Sequence, residues 1–154
     1  MAKKKMRLII RKFCLTFTII LCLIFLGDTT SSNIHRKEHD TVIISLNNKD
    51  HQLKTENNAT VKALYQRLPL RMNMHDLNGN EKYYNLPKKL PSNDKKIKNI
   101  KKGDVLLYNS NCIVIFYKDI KTSYKYTRIG HIKDFSKLAT NFSADDITVV
   151  IKKQ

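Results

Sequence analysis

Tryptophan is absent, glycine occurs 4 times, proline and cysteine 3 times each, and 13 acidic residues face 29 lysines and arginines. Each shortage closes off a class of function. Gly27, Gly79, Gly103 and Gly130 stand isolated, so no glycine-rich loop is available to cradle a phosphate, and ATP, NAD and GTP are not expected as cofactors. So few glycines and prolines also exclude a collagen-like or low-complexity chain. The 154 residues, 42% hydrophobic and 27% charged, suit one ordinary domain rather than two. Cys14 and Cys22 fall in an apolar N-terminal run, which leaves Cys112 alone in the remainder and excludes an internal disulfide there. One thiol and the scattered His35, His39, His51, His75 and His131 build no zinc cluster, so no metal is expected.

Acid is missing altogether from residues 1–27, where Lys3, Lys4, Lys5, Arg7, Arg11 and Lys12 precede an apolar run at 13–26 broken only by Thr16 and Thr18. That order of basic, apolar and then polar residues is the pattern of a secretory signal. The run is shorter than the roughly 20 apolar residues of a spanning helix, and its cleavage site is poor. Residues 1–32 therefore read as a signal peptide or an uncleaved signal anchor, 33–40 as a linker, and 41–154 as the folded domain. The expected location is extracytoplasmic, secreted or held to the cytoplasmic membrane through residues 8–26. Six of the 16 net positive charges lie in residues 1–27, and the ten that remain favour anionic surfaces without specifying a fold.

The folded part is patterned mainly for strands. Thr41-Val-Ile-Ile-Ser-Leu46 is β-branched and apolar, Asn47-Asn-Lys-Asp50 supplies turn chemistry, and 51–55 returns as the second arm of a hairpin. Asn58 can cap a helix carrying Val61, Leu64, Tyr65 and Leu68 on one face, with Pro69 as its stop. Leu70, Met72 and Met74 then alternate with polar residues up to Asn78-Gly79, a pair suited to a type I′ turn, and 81–86 should return beside them. Residues 88–102 hold 7 lysines and one Asp and read as a long exposed connection. They lack aromatic side chains for base stacking, so nucleic acid is not an expected partner. Strands follow at 105–108 and 112–117, the latter apolar on both faces, and again at 122–132 and 147–151. Asp134 can cap a short helix holding Phe135 and Leu138. Eight strands suffice to close a small barrel filled by its own side chains.

The segments Leu77-Asn-Gly-Asn-Glu-Lys-Tyr-Tyr-Asn-Leu-Pro87, Gly103-Asp-Val-Leu-Leu-Tyr108, Cys112-Ile-Val-Ile-Phe-Tyr117 and Thr122-Ser-Tyr-Lys-Tyr-Thr-Arg-Ile-Gly-His-Ile132 resemble the bacterial cyclophilin-like domain family, over about residues 41–152. The resemblance implies a closed eight-stranded barrel with one or two short helices, in a family whose members mostly lack an assigned biochemical role. Prolyl isomerases of the cyclophilin family proper use a strand arginine near a Phe-x-x-Gln segment. No phenylalanine here is followed three places later by glutamine, so that proline site has no position on which to land.

Period-2 alternation puts Tyr124, Tyr126 and Arg128 on one face of their strand, with Lys125, Thr127, Ile129 and His131 on the other. The first three could line a pocket in which a guanidinium meets a carbonyl or carboxylate between apolar rings. An arginine stacked on surface tyrosines is the plainer alternative. Glu81, Tyr83 and Tyr84, just after the Asn78-Gly79 turn, are candidates for the same opening. His131 is the natural acid or base if there is chemistry, although a lone strand histidine is more often structural. Cys112 reads as a small hydrophobe. The favoured expectation is a non-catalytic module binding a small molecule or a peptide. An extracytoplasmic prolyl isomerase with a divergent site and electrostatic binding to anionic envelope polymers are the alternatives.

Overall fold

The computed structural model describes residues 41–46, 48–137, 142 and 146–154. The leader and linker at 1–40 and the proposed helix position Leu138 lie outside them. Among the described residues no helix is long and apolar enough to cross a membrane.

The first hairpin is built from β1 (Val42–Leu46) and β2 (Lys49–Thr55). Val42, Ile44 and Leu46 are buried and alternate with half-buried positions, as a strand with one covered face requires. The ladder runs down to Leu46 opposite Lys49, so two residues make the connection where the composition suggested four. Asn48 makes this possible by adopting a left-handed φ of 62°. Helix α1 (Ala59–Tyr65) is capped by Asn58, whose Oδ1 accepts from the Val61 N–H at 2.9 Å. It ends at Tyr65, earlier than Pro69 alone would impose, and buries Leu64 against the barrel with Val61 and Leu68 packed beside it.

Strands β3 (Leu70–Leu77) and β4 (Glu81–Asn85) follow. Asn78 and Gly79 take φ of 56° and 63°, as a type I′ turn needs. Pairing resumes with Leu77 opposite Glu81, so the connection has three residues and Asn80 is left outside the ladder. After β5 (Lys95–Lys96) and β6 (Asn99–Ile100), a third hairpin consists of β7 (Asp104–Tyr108) and β8 (Cys112–Phe116). Then come β9 (Ile120–Lys121), β10 (Lys125–Ile132), a 3-10 turn at Phe135–Lys137, and β11 (Ile147–Lys153).

The strands are ordered β2-β1-β11-β3-β4-β8-β7-β10, and β10 pairs back onto β2. That last pairing closes an eight-stranded antiparallel barrel. The closing seam is three residue pairs long, from Gly130 opposite Thr55 to Ile132 opposite Leu53. Gly130 is required there, because a Cβ would sit 2.4 Å from the Lys54 carbonyl oxygen. The interior is filled by Ile44, Met72, Met74, Val105, Leu107, Ile113, Ile115, Ile129, Val149 and Ile151, all fully buried.

A second, smaller core lies on the outside of β7, β8 and β10, where Leu106, Val114, Phe116 and Tyr126 are covered by Ile100 with Ile97 and Ile120 at its edge. The lysine-rich connection therefore departs from the expectation of a loose exposed loop. Its lysines face water, but Leu90 and Ile100 are buried, β5 pairs with β10, and β6 pairs with β9. Two isoleucines among the lysines are enough to seat the segment on a sheet face that β8, apolar on both sides, would otherwise expose.

Candidate functional site

The outer face of β4, β8, β7 and β10 gathers most of the polar aromatics. Strand alternation turns Glu81, Tyr83 and Asn85 outward, opposite Phe116, Val114 and Cys112 of β8. Tyr108 of β7 lies beside Cys112 in the next row. From the far side Tyr124 and Tyr126 lean on Tyr108, with ring centroids 5.9 Å and 5.5 Å away and planes inclined by 75° and 47°. Together they enclose a cleft of about 380 Å³ with Glu81 and Tyr83 in its lining.

Glu81 is the unusual member. It is 9% exposed, and no hydrogen bond or ion pair engages its carboxylate among the described residues. Burial, with the nearby Asp76 charge adding to it, pushes its pKa up to about 7. The lysine next to it in sequence cannot help, since alternation sends Lys82 inside the barrel. There Lys82 is fully buried and its Nζ meets Asp76 Oδ1 at 2.9 Å. Asp76 also accepts from the Tyr117 hydroxyl at 2.6 Å and from the Gly79 N–H at 3.0 Å. Burial pushes the Asp76 carboxyl up, but these hydrogen bonds outweigh it and hold the pKa below the ordinary value. Cys112, beside the cleft, is pushed up to about 11 by burial and then by the Glu81 charge, so its thiol stays protonated at neutral pH. Tyr126 is pushed up to about 12 by the same two causes.

Arg128 shares the outer face with Tyr126, as alternation predicts, but it lines a different cleft. That cleft, of about 550 Å³, is walled by Lys95, Lys96, Asn58 and Thr127, and Tyr126 touches both clefts. Arg128 Nη1 donates to Asp104 Oδ2 at 3.4 Å, and Asp104 Oδ1 lies 2.9 Å from His131 Nδ1. Alternation alone placed His131 with Ile129, away from Arg128. The register shifts between Arg128 and Gly130, and this bulge brings His131 round to the same carboxylate as Arg128. Tyr84 points the other way from Glu81 and Tyr83, packs half-buried against the barrel core, and lines neither cleft.

Of the residues singled out in the sequence, Glu81, Tyr124 and Tyr126 thus come together, joined by Tyr83. Arg128 stands apart from Glu81 and Tyr84 lies inside. Tyr108 was missed, though its place at the end of β7 opposite Cys112 was readable from the hairpin. Asp104 was also missed as the partner of His131, and only the β7 to β10 pairing could have revealed it. Among the described residues no group of three or more histidines, cysteines and acids could hold a metal. His35 and His39, four positions apart, lie outside them.

The closed barrel, its seam and the two helical turns agree with the sequence match, which assigns residues 44–152 to the Cyclophilin-like family. The chain belongs to that family. Among solved structures, this cyclophilin-like barrel is similar to the solution structure of a hypothetical protein from Archaeoglobus fulgidus. The TM-score is 0.52 at 20% identity, covering 75% of this chain and 95% of the other. It is also similar to McbB in complex with tryptophan, with a TM-score of 0.52 at 10% identity, covering 73% of this chain and 44% of McbB. At such identities the likeness concerns the cyclophilin-like fold and not the cleft. No curated protein matches the sequence.

Proposed function

We propose that the cyclophilin-like barrel is a non-catalytic binding module whose ligand, a small molecule or one side chain of a peptide, enters the tyrosine cleft. The observation that carries this reading is Glu81. A carboxylate 9% exposed and without a partner among the described residues lowers the stability of the empty protein. Such a group is useful where a bound molecule completes its surroundings, and the rings around it supply apolar contact. Catalysis by the other candidates has less support. The Cys112 thiol stays neutral at physiological pH, and Arg128, the residue type shared with prolyl isomerases, is engaged by Asp104. The basic and apolar order of residues 3–26 supports placing the module outside the cytoplasm, secreted or anchored.

A small-molecule fragment screen on the full chain, followed by amide NMR shifts, tests the reading. Shifts confined to Glu81, Tyr83, Tyr108, Cys112, Tyr124 and Tyr126 are expected. Hits that gather elsewhere, or none at all, would overturn it. A second reading, contact with anionic polymers, is favoured by one observation: Lys95, Lys96 and Arg128 share the wider cleft. It requires binding to a soluble polyanion that collapses between low and high salt and weakens in Lys95→Ala/Lys96→Ala.

A further inference from the structure

We propose that the occupant of the tyrosine cleft is a small organic cation of the methylated ammonium class, seated against Glu81 with tyrosine rings as its walls. The inference rests on the binding-module reading and names the chemistry of its ligand.

Charge is the first argument. The chain has 29 lysines and arginines, yet none of them lines this cleft among the described residues. The nearest in sequence, Lys82, is committed to Asp76 on the opposite side of the sheet. The cleft therefore holds one buried negative charge with no positive counterpart among the described residues. An anionic ligand would be repelled by Glu81, and a neutral one, even as a hydrogen-bond donor, would leave the buried charge uncompensated, which is costly. A cation removes that cost as it binds.

The walls decide which kind of cation. The rings of Tyr124 and Tyr126 lie 5.9 Å and 5.5 Å from that of Tyr108, in planes inclined to it by 75° and 47°, and Tyr83 adds a fourth ring on the Glu81 strand. A set of ring faces around one carboxylate suits a diffuse, weakly hydrated positive charge, as in cages that recognise quaternary ammonium groups. A primary ammonium brings three N–H donors, each of which needs an acceptor; Glu81 and the amides of Asn78, Asn85, Asn109 and Asn111 in the lining can serve some of them, but the rings offer few. A methylated head brings none, so it enters at a smaller desolvation cost and fills the volume with methyl groups against the rings.

The site then competes with protons. The groups facing Glu81 are Tyr83 on β4, Cys112 on β8, Tyr108 on β7, and Tyr124 and Tyr126 at the start of β10, while Asp76 on β3 acts through its charge. Asp76 stays ionised and Cys112 and Tyr126 stay neutral near pH 7, so Glu81 governs the change. With its pKa raised to about 7, ionised Glu81 grows from a small fraction at pH 6 to most of the population at pH 8. Cation affinity rises with pH over that interval.

The test uses the full chain, titrated by calorimetry and NMR with choline and with its uncharged carbon counterpart 3,3-dimethyl-1-butanol, at pH 6 and pH 8. At pH 8 choline should bind about tenfold or more tightly than the alcohol, and the preference should shrink severalfold at pH 6. Glu81→Gln should erase the preference while the alcohol still shifts the same cleft amides. Tyr124→Leu, at a ring 61% exposed and so removable with little effect on folding, should weaken choline severalfold. Equal binding of both compounds at the cleft, or a choline preference that survives Glu81→Gln, would overturn the cation class while the binding-module reading stands. Failure of both compounds, together with a fragment screen that leaves the cleft amides unmoved, would remove both.

Discussion

Two carboxylates five residues apart behave oppositely because, among the described residues, one has partners and the other does not. Asp76 accepts from Lys82, Tyr117 and the Gly79 N–H, whereas Glu81, five positions on, is buried without any of these. Their effects on stability run in opposite directions with pH. Glu81 is raised to about 7 from 4.5, so the folded state binds its proton more tightly than the unfolded chain does, and stability falls as pH rises between those values. Glu81→Gln should relieve that penalty. The variant should gain on the parent by about 2–3 kcal/mol from pH 4.5 to pH 8, measured by urea unfolding at a series of pH values. A difference that stays flat with pH would refute the raised pKa. Asp76 is depressed below 3.8, so its contribution is present above that value and is lost as pH falls below it. Asp76→Asn removes the carboxylate that meets the fully buried Lys82 ammonium and should cost about 3–5 kcal/mol at neutral pH. Lys82→Met with Asp76→Asn should recover much of that loss, because an apolar chain of similar length fills the same space.

Strands differ in how much of their geometry their own residues determine. β1, β3 and β11 were readable because apolar and polar residues alternate along them, and β8 because it is apolar throughout. The Asn78-Gly79 turn was readable from its dipeptide. β5, β6 and β9, two residues each, carry no periodic signal and exist only because the outer core forms beneath them. The bulge in β10 was hidden for a related reason. Nothing in Arg128-Ile-Gly-His131 announces it locally; it follows from the close approach of β2, which is settled by residues some 75 positions earlier. The tyrosine cleft was half legible: alternation put Tyr124 and Tyr126 on one face, but which strands would oppose them, and so whether Glu81 or Arg128 shared their opening, depended on strand order. Gly130 carries the consequence for this element. Gly130→Ala forces a methyl group onto the Lys54 carbonyl and should destabilise by about 1–3 kcal/mol, with amide exchange accelerating first at residues 53–55 and 130–132. Gly79→Ala provides the contrast. Its methyl group meets only the Tyr117 hydroxyl, at an ordinary contact distance of 4.0 Å, so it should cost only the roughly 1–2 kcal/mol of its left-handed φ, with no selective effect on the seam.

At the scale of the whole molecule, the two cores share one sheet wall. β7 and β8 supply Val105, Leu107, Ile113 and Ile115 to the interior, and Leu106, Val114 and Phe116 to the outer cluster. Loosening either core should therefore be felt in the other. Ile100→Ala, made at a residue 1% exposed on the outside, should cost about 2–4 kcal/mol and lower the global unfolding midpoint in a single transition, not melt the lysine-rich segment separately. A distinct early transition would show that the outer core is an independent unit. The position of β11 has a different consequence. β11 pairs with β1 on one side and with β3 on the other, so it sits in the middle of the sheet and not at its margin. A chain stopped short of residue 147 has two unpaired edges, β1 and β3, and a ring that cannot be sealed. Closure thus works as a check on β11: chains lacking it keep two exposed edges open to stray pairing and to proteases, and only chains that carry it can seal the ring.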